Sequence, residues 1–355
     1  MKPHHDKSRS HGFSLVEVAL SMVVLSITLL VSVQVLNQTQ RTWKRAVARV
    51  EQFREARLAF ESITQNLTQA ILNTYQAYQY NDGDTPTIPQ SKTEVPTRYL
   101  RQSELQFVTG QAATLLPQAP AELLPTHALF FQARLGLSER EGYAGLNRLL
   151  CGRGYFIMHG DDEAFRPRHV TARNSRFRLW EYRPPAEENS VYAVKPGEWF
   201  SKAAENIVTS DETITNPSDS RPVAANIIAL VISPQVTADD AAHKKTTPWW
   251  IAPEYSFDSA ALANTSTDSP QGTQHMLPPR VVVTLVAIDE ASARNLADRH
   301  PDDVPQLVPP GAFAKRDDLQ SDLKALEEKL RAEQLNYRVF SSTINLRNSK
   351  WGLLR

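Results

Sequence analysis

With Cys151 as its only cysteine, the chain cannot close an intramolecular disulfide. That thiol reads as a small buried hydrophobe, since no base stands beside it in sequence. Net charge is also missing: 39 Lys and Arg balance 39 Asp and Glu, so no global field calls for a polyanionic partner. There is no glycine-rich phosphate loop, no paired-cysteine motif, no His-Glu-x-x-His and no nucleophile-elbow serine. These gaps remove the usual footholds for an enzyme, and no cofactor is expected. Glycine is scarce, 13 against 23 prolines, and the prolines cluster between apolar runs, as in a loop-rich β domain.

What is present is concentrated at the start. A polar leader, Met1 to His11, ends in Gly12. Phe13 follows and opens a nearly continuous apolar run to Leu36, about 36 Å long as a helix and enough for a hydrocarbon core of about 30 Å. One carboxylate, Glu17, interrupts it. An acid near the start of a membrane-length segment is costly and implies a partner and a role. A secretory signal has its cleavage site after a shorter apolar region, so this pattern is different.

Gly12-Phe13-Ser14-Leu15-Val16-Glu17 with the run behind it resembles the prepilin-type cleavage and methylation segment of type IV pilins and type II secretion pseudopilins. The resemblance implies cleavage after Gly12, N-methylation of Phe13 and an assembly role for Glu17. It implies a prepilin peptidase/N-methyltransferase, other pilin-like subunits and the lipid bilayer as partners, with no nucleic acid. It also implies an inner-membrane, single-pass protein with its leader in the cytoplasm and its head outside. The basic flank Arg41, Lys44, Arg45, Arg49, Arg54 and Arg57 would by the positive-inside rule alone give the opposite orientation.

No Gly or Pro occurs from Phe13 to Tyr80. Apolar or small residues recur at Leu36, Trp43, Val47, Val50, Phe53, Ala56, Phe60, Ile63, Leu67 and Ala70/Ile71. This spacing predicts one rod: leader 1–12, membrane and assembly segment 13–36, and a continuation 37–80 packing on a head of residues 81–355. In the head, extended runs are expected at Ser103–Val108, His127–Leu135, Gly154–His159, Arg176–Tyr182, Asn226–Ser233, Arg280–Ile288 and Tyr337–Leu346. A polar loop or short helix is expected over Trp199–Val223. An excursion from the sheet is expected over 238–277, with Trp249-Trp250 as a local anchor. Leu319, Leu323, Leu326 and Leu330 predict a helix over 317–334, before the last strand. The fold class is therefore α+β, an N-terminal transmembrane helix leading to a pilin-like head of antiparallel sheet.

Leu277 to Leu285 and Tyr337 to Arg347 resemble the last strands of the minor pseudopilin J pattern. The whole chain is similar to the prepilin-like family named Verru_Chthon cassette protein C. That similarity is carried by Gln38 to Trp43, Arg49 to Arg57, Leu72 to Tyr75, Gly154 to Phe156, Phe177 to Leu179 and Arg338 to Trp351.

Other motifs are weaker. Asn81 to Asp84 faintly resembles a calcium loop, but a solvated turn is expected because the later acidic ligand is missing. His159 to Glu163 could supply metal ligands but reads first as a polar turn. Arg173, Arg176 and Arg178 with Phe177, Trp180 and Tyr182 could stack on bases, though the exposed charged face of a strand is the commoner outcome. The expected function is a non-enzymatic minor pilin- or pseudopilin-like subunit. The rival is a membrane-anchored adhesin-like protein that does not polymerise and binds through 238–277.

Overall fold

The computed structural model describes residues 15–51, 53–81, 87–143, 145–146, 148–162, 166, 169, 174–192, 195–204, 207, 219–245, 247–248, 251–262, 271–301 and 303–351. The chain forms two compact units, Met1–Gln52 and Phe53–Arg355. The first contains helix α1 (Leu15–Glu51).

The second unit opens with α2 (Arg54–Leu67), after Phe53 in a non-helical conformation. Ala56, Ala59, Phe60, Ile63 and Leu67 fall on one face and are buried, as the spacing predicts. The expected helix to Tyr80 is corrected. Tight turns at Thr68, Gln69 and Ala70 unwind the chain. Ala70 bridges Ala133, and Ile71 N–H donates to Gln132 O (2.9 Å). Asn73 Oδ1 then accepts from Ser103 Oγ, Glu104 N and Leu105 N. Tertiary hydrogen bonds thus override a stripe that was only marginally helical, and Tyr75–Gln79 becomes strand β1.

β1 pairs antiparallel with β2 (Arg98–Gln102). The main sheet then runs as a meander: β3 (Val108–Gln111), β4 (His127–Arg134), β5 (Leu150–Gly160), β6 (Arg176–Tyr182) and β7 (Ser220–Ala225), with a one-turn helix α3 (Ala112–Leu115) after β3. β8 (Ile227–Gln235) leaves this sheet. Helix α4 (Ala238–Lys244) follows, and β9 (Phe257–Asp258) returns to pair with β3. β10 (Arg280–Ile288) pairs antiparallel with both β8 and β11 (Tyr337–Asn345). Between β10 and β11 stand α5 (Glu290–Arg299) and α6 (Leu319–Ala332). The sheet orders are β7-β6-β5-β4-β3-β9 and β11-β10-β8. An N-terminal apolar helix precedes antiparallel sheets and later helices, so the fold is α+β.

The crossing between sheets is made at Asn226, which has φ of 63°. Asparagine tolerates this left-handed conformation better than most residues. Its N–H donates to Phe177 O (2.8 Å) in one sheet, and its carbonyl accepts from Ile288 N (2.9 Å) in the other. β8 is buried along its whole length and lies against β4, β5 and β6. Its outer edge is not left bare: Leu230 N–H donates to Thr126 Oγ1 (3.1 Å) and Ile232 N–H to His127 Nδ1 (3.1 Å). Phe130 lies directly over Gly154, where a Cβ would stand 2.3 Å from the ring, so β5 needs glycine there.

Several expectations are revised by this packing. The stretch 238–277 is not a simple excursion, because β9 extends the main sheet and Ala252, Tyr255 and Phe257 enter the core. Trp249 and Trp250 lie outside the described residues. The Trp199–Val223 stretch begins with Trp199 and Phe200 in the core, Phe200 stacked on Phe130 at 4.2 Å, and ends in β7. In the Ser103–Val108 stretch, Leu105 and Phe107 are buried in irregular chain and the strand starts only at Val108. The charged face of β6 is not exposed. Arg178 is buried and donates to the carbonyls of Gly160 (2.6 Å), Asp161 (2.9 Å) and Asn174 (2.7 Å). Arg176 forks onto Glu290 at 2.5 and 2.9 Å, tying β6 to the first turn of α5. Trp180 and Tyr182 are buried, and Arg173 lies outside the described residues.

Candidate assembly helix

α1 is helical because its residues make no competing demand. From Leu15 to Gln40 it holds no Gly or Pro and a single charged residue, Glu17. Val18–Gln40 is long and apolar enough to cross a membrane, about 35 Å at 1.5 Å per residue. None of that span is buried. Fifteen large apolar residues from Leu15 to Leu36 are exposed, Leu15 at 87% and Leu36 at 59%. Each covered Val, Leu or Ile is worth about 1.5–3 kcal/mol, so leaving the whole set in water costs on the order of tens of kcal/mol. An apolar medium or neighbouring helices must cover it.

The polar side chains inside the run fit such a medium. Ser21 Oγ donates to Val18 O (3.0 Å), Ser26 Oγ to Met22 O (2.8 Å) and Thr28 Oγ1 to Val24 O (2.5 Å). Ser32 Oγ donates to Thr28 O (2.7 Å) and Thr39 Oγ1 to Val35 O (2.8 Å). Each hydroxyl is satisfied one turn back along its own helix, so it can enter hydrocarbon without an unmet donor.

Glu17 stands on the first turn of α1, at its third residue. Gly12 and Phe13 lie outside the described residues. Asp82 to Asp84 of the calcium-like stretch and Glu163 of the His159–Glu163 stretch also fall outside them. Among the described residues no three His, Cys, Asp or Glu side chains converge as a metal site would require. His159 packs on Phe177 (4.7 Å between rings), and burial, then the Arg178 charge, pushes its pKa down to about 4. Cys151 is fully buried, and that burial pushes its thiol pKa up.

In the head, α2 is held by more than its apolar face. Asn66 Nδ2 donates to Tyr155 Oη (2.7 Å), and Tyr155 Oη donates to Glu181 Oε1 (2.8 Å). The same carboxylate oxygen pairs with Arg153 Nη1 at 3.2 Å, with both side chains under one-tenth exposed. Burial foremost, then the Glu181 charge, pushes the Tyr155 phenol pKa well up, so it stays a donor. Glu55 Oε1 accepts from Ala225 N (2.9 Å). A second buried junction forms at His127. Its Nδ1 accepts from Ile232 N–H, and its Nε2 lies 2.9 Å from Phe313 O, so Nε2 carries the proton of a neutral ring. Burial pushes its pKa down to about 4, despite the partial offset from those two backbone groups.

No local pattern announces these junctions. Asn66 and Tyr155 are 89 positions apart, and His127 and Phe313 are 186 apart. The α1 segment is the reverse case, complete within a short contiguous stretch. Residues 7–33 match the family model described as the prokaryotic N-terminal methylation motif. No curated protein and no solved structure matches the chain. The motif and the apolar helix together support a membrane-anchored, pilin- or pseudopilin-like protein of the prepilin type, processed by prepilin peptidase.

Proposed function

We propose that the chain is a non-enzymatic minor subunit of a type IV pilus or type II secretion-like envelope assembly, of the kind called Verru_Chthon cassette protein C. The carrying observation is the methylation motif over residues 7–33, together with the exposed apolar helix that begins at Leu15. Residues 1–12 are the leader, cut after Gly12, and Phe13 is methylated by the same peptidase. The segment 13–36 holds the subunit in the inner membrane, with the head on the extracytoplasmic side. On entry into the assembly, neighbouring pilin-like helices replace lipid around α1.

Glu17 then pairs with the α-amino group of a neighbouring Phe13. A carboxylate left unpaired in an apolar interior costs several kcal/mol, so pairing stabilises one axial register and disfavours the rest. The similarity of Leu277–Leu285 and Tyr337–Arg347 to the minor pseudopilin J pattern supports a place at the tip.

Mass spectrometry of the mature protein from its native host tests the reading. The expected mass is that of a chain beginning at Phe13 with one added methyl group, and an intact leader would overturn it. Gly12→Ala is expected to slow cleavage. Glu17→Ala and Glu17→Leu are expected to be processed normally but incorporated poorly, as read by crosslinking to neighbouring subunits.

A further inference from the structure

The head contains a cleft of about 150 Å³ between the β1–β2 hairpin, the segment entering β10 and the chain following β11. Its walls include Leu72, Met276 and Leu277, all buried, and its polar lining includes Arg101, His275 and Lys350. We propose that this cleft binds a carboxylate carried on a short apolar stem, the size of one acidic side chain.

Charge supports this choice. Arg101 is half-buried, and its guanidinium donates to two neutral acceptors, Gly272 O (2.6 Å) and Gln274 O (3.3 Å). Lys350 is exposed and reaches only Thr74 O, at 3.5 Å. Among the described residues neither forms an ion pair with a carboxylate. Burial lowers the Arg101 pKa with no acidic neighbour raising it. A partly desolvated cation without a counter-charge is unfavourable, and an entering anion relieves it. His275 is more than nine-tenths buried, and its Nδ1 has no hydrogen-bond partner. Glu104, whose charge reaches His275, is already held by donors from Tyr75 (2.7 Å) and Asn73.

The site is also pre-organised. Gln271 clamps the Arg101 backbone on both sides: its Oε1 accepts from Arg101 N (2.7 Å), and its Nε2 donates to Arg101 O (2.9 Å). Thr74 Oγ1 donates to His275 O (3.0 Å). Ligand pockets for larger molecules run to about 300–1,000 Å³, so this cleft suits one side-chain-sized group rather than an extended ligand. Two cations beside an aliphatic wall match the charge and the stem of a glutamate or a small dicarboxylate. Binding here does not depend on whether α1 assembles, so its failure would leave the assembly reading untouched.

Calorimetric titration of the full-length protein in detergent, in buffer free of carboxylates, tests this. The probes are succinate, an end-capped peptide with one glutamate between leucines, the same peptide with glutamine, and inorganic phosphate. Saturable binding of succinate or of the glutamate peptide is expected. The glutamine peptide should bind at least about tenfold more weakly, the scale of one charge-assisted hydrogen bond. Preference for succinate would indicate a free metabolite-like ligand, and preference for the peptide an acidic side chain of a partner; either supports the carboxylate. Lys350→Met, at an exposed position, should cut affinity about tenfold without shifting the unfolding midpoint, and Arg101→Gln should cut it further. Four results would overturn the proposal: no saturable carboxylate binding, equal binding of the two peptides, tighter binding of phosphate, or unchanged affinity in Lys350→Met.

Discussion

α1 and α2 are both helices, but they meet their surroundings in opposite ways. Over Val18–Leu36, α1 is apolar on every side and settles its hydroxyls on its own backbone. α2 is apolar on one face only, and reaches across to the sheet through Asn66. The first therefore needs an environment supplied from outside the chain. The second has its environment built by residues far away in sequence. A helix that is hydrophobic all round and one with a single stripe are distinct physical objects, whatever their common backbone.

Arg153→Met tests that contrast most severely. It leaves Glu181, buried beneath α2, with only the partly exposed Arg183 Nε at 4.0 Å as a cation, and a destabilisation of up to about 3–5 kcal/mol is expected. Urea unfolding followed by near-UV circular dichroism would measure it, and an unchanged midpoint would mean the Asn66–Tyr155–Glu181 chain does not hold α2 down. Next comes a matched pair of truncations. Leu67→Ala on α2 opens a fully buried site and should cost the head about 2–5 kcal/mol. Leu29→Ala, at an exposed position of α1, should leave the head's midpoint where it is. Equal losses from the two would erase the distinction.

Acid gives the third test. His127 has its pKa lowered from 6.5 to about 4, so the unfolded chain binds more protons between these values. Its contribution is full above about pH 6.5 and is lost as pH falls towards 4, by about 3 kcal/mol in all. His159, lowered in the same direction, adds to the trend. Unfolding midpoints at pH 7.5 and 4.5 should differ accordingly, and His127→Gln should shrink the difference. The smallest effect is expected from Thr28→Val in α1. Its hydroxyl bonds only to Val24 O, so insertion and head stability should change by less than about 0.5 kcal/mol.

The same contrast explains what could be read from the sequence. The N-terminal motif is contiguous, so its presence was legible, as the match over residues 7–33 bears out. β4, β6, β10 and β11 were legible because each carries its own alternating or β-branched run, and α6 because four leucines mark one face. α5 was missed although Asp289 caps it, accepting from Ser292 N at 2.7 Å. Only Ala293 and Leu296 among its apolar residues face the core, too few to set a period. β1, β2 and β7 were missed because their polar sequences become strands only through partners supplied by the fold. The cleft of Arg101, His275 and Lys350 was invisible for the same reason, as three separate segments bring its lining together.

The inward-turned hydroxyls of α1 have a mechanical consequence. From Val18 to Val33 the only polar side chains are hydroxyls spent on the helix's own backbone, so this stretch offers few directional contacts to a neighbour. It can turn about its axis or slip lengthwise past lipid or another helix without breaking any directional bond. Friction along that stretch comes mainly from shape. A subunit built this way can be moved between surroundings easily.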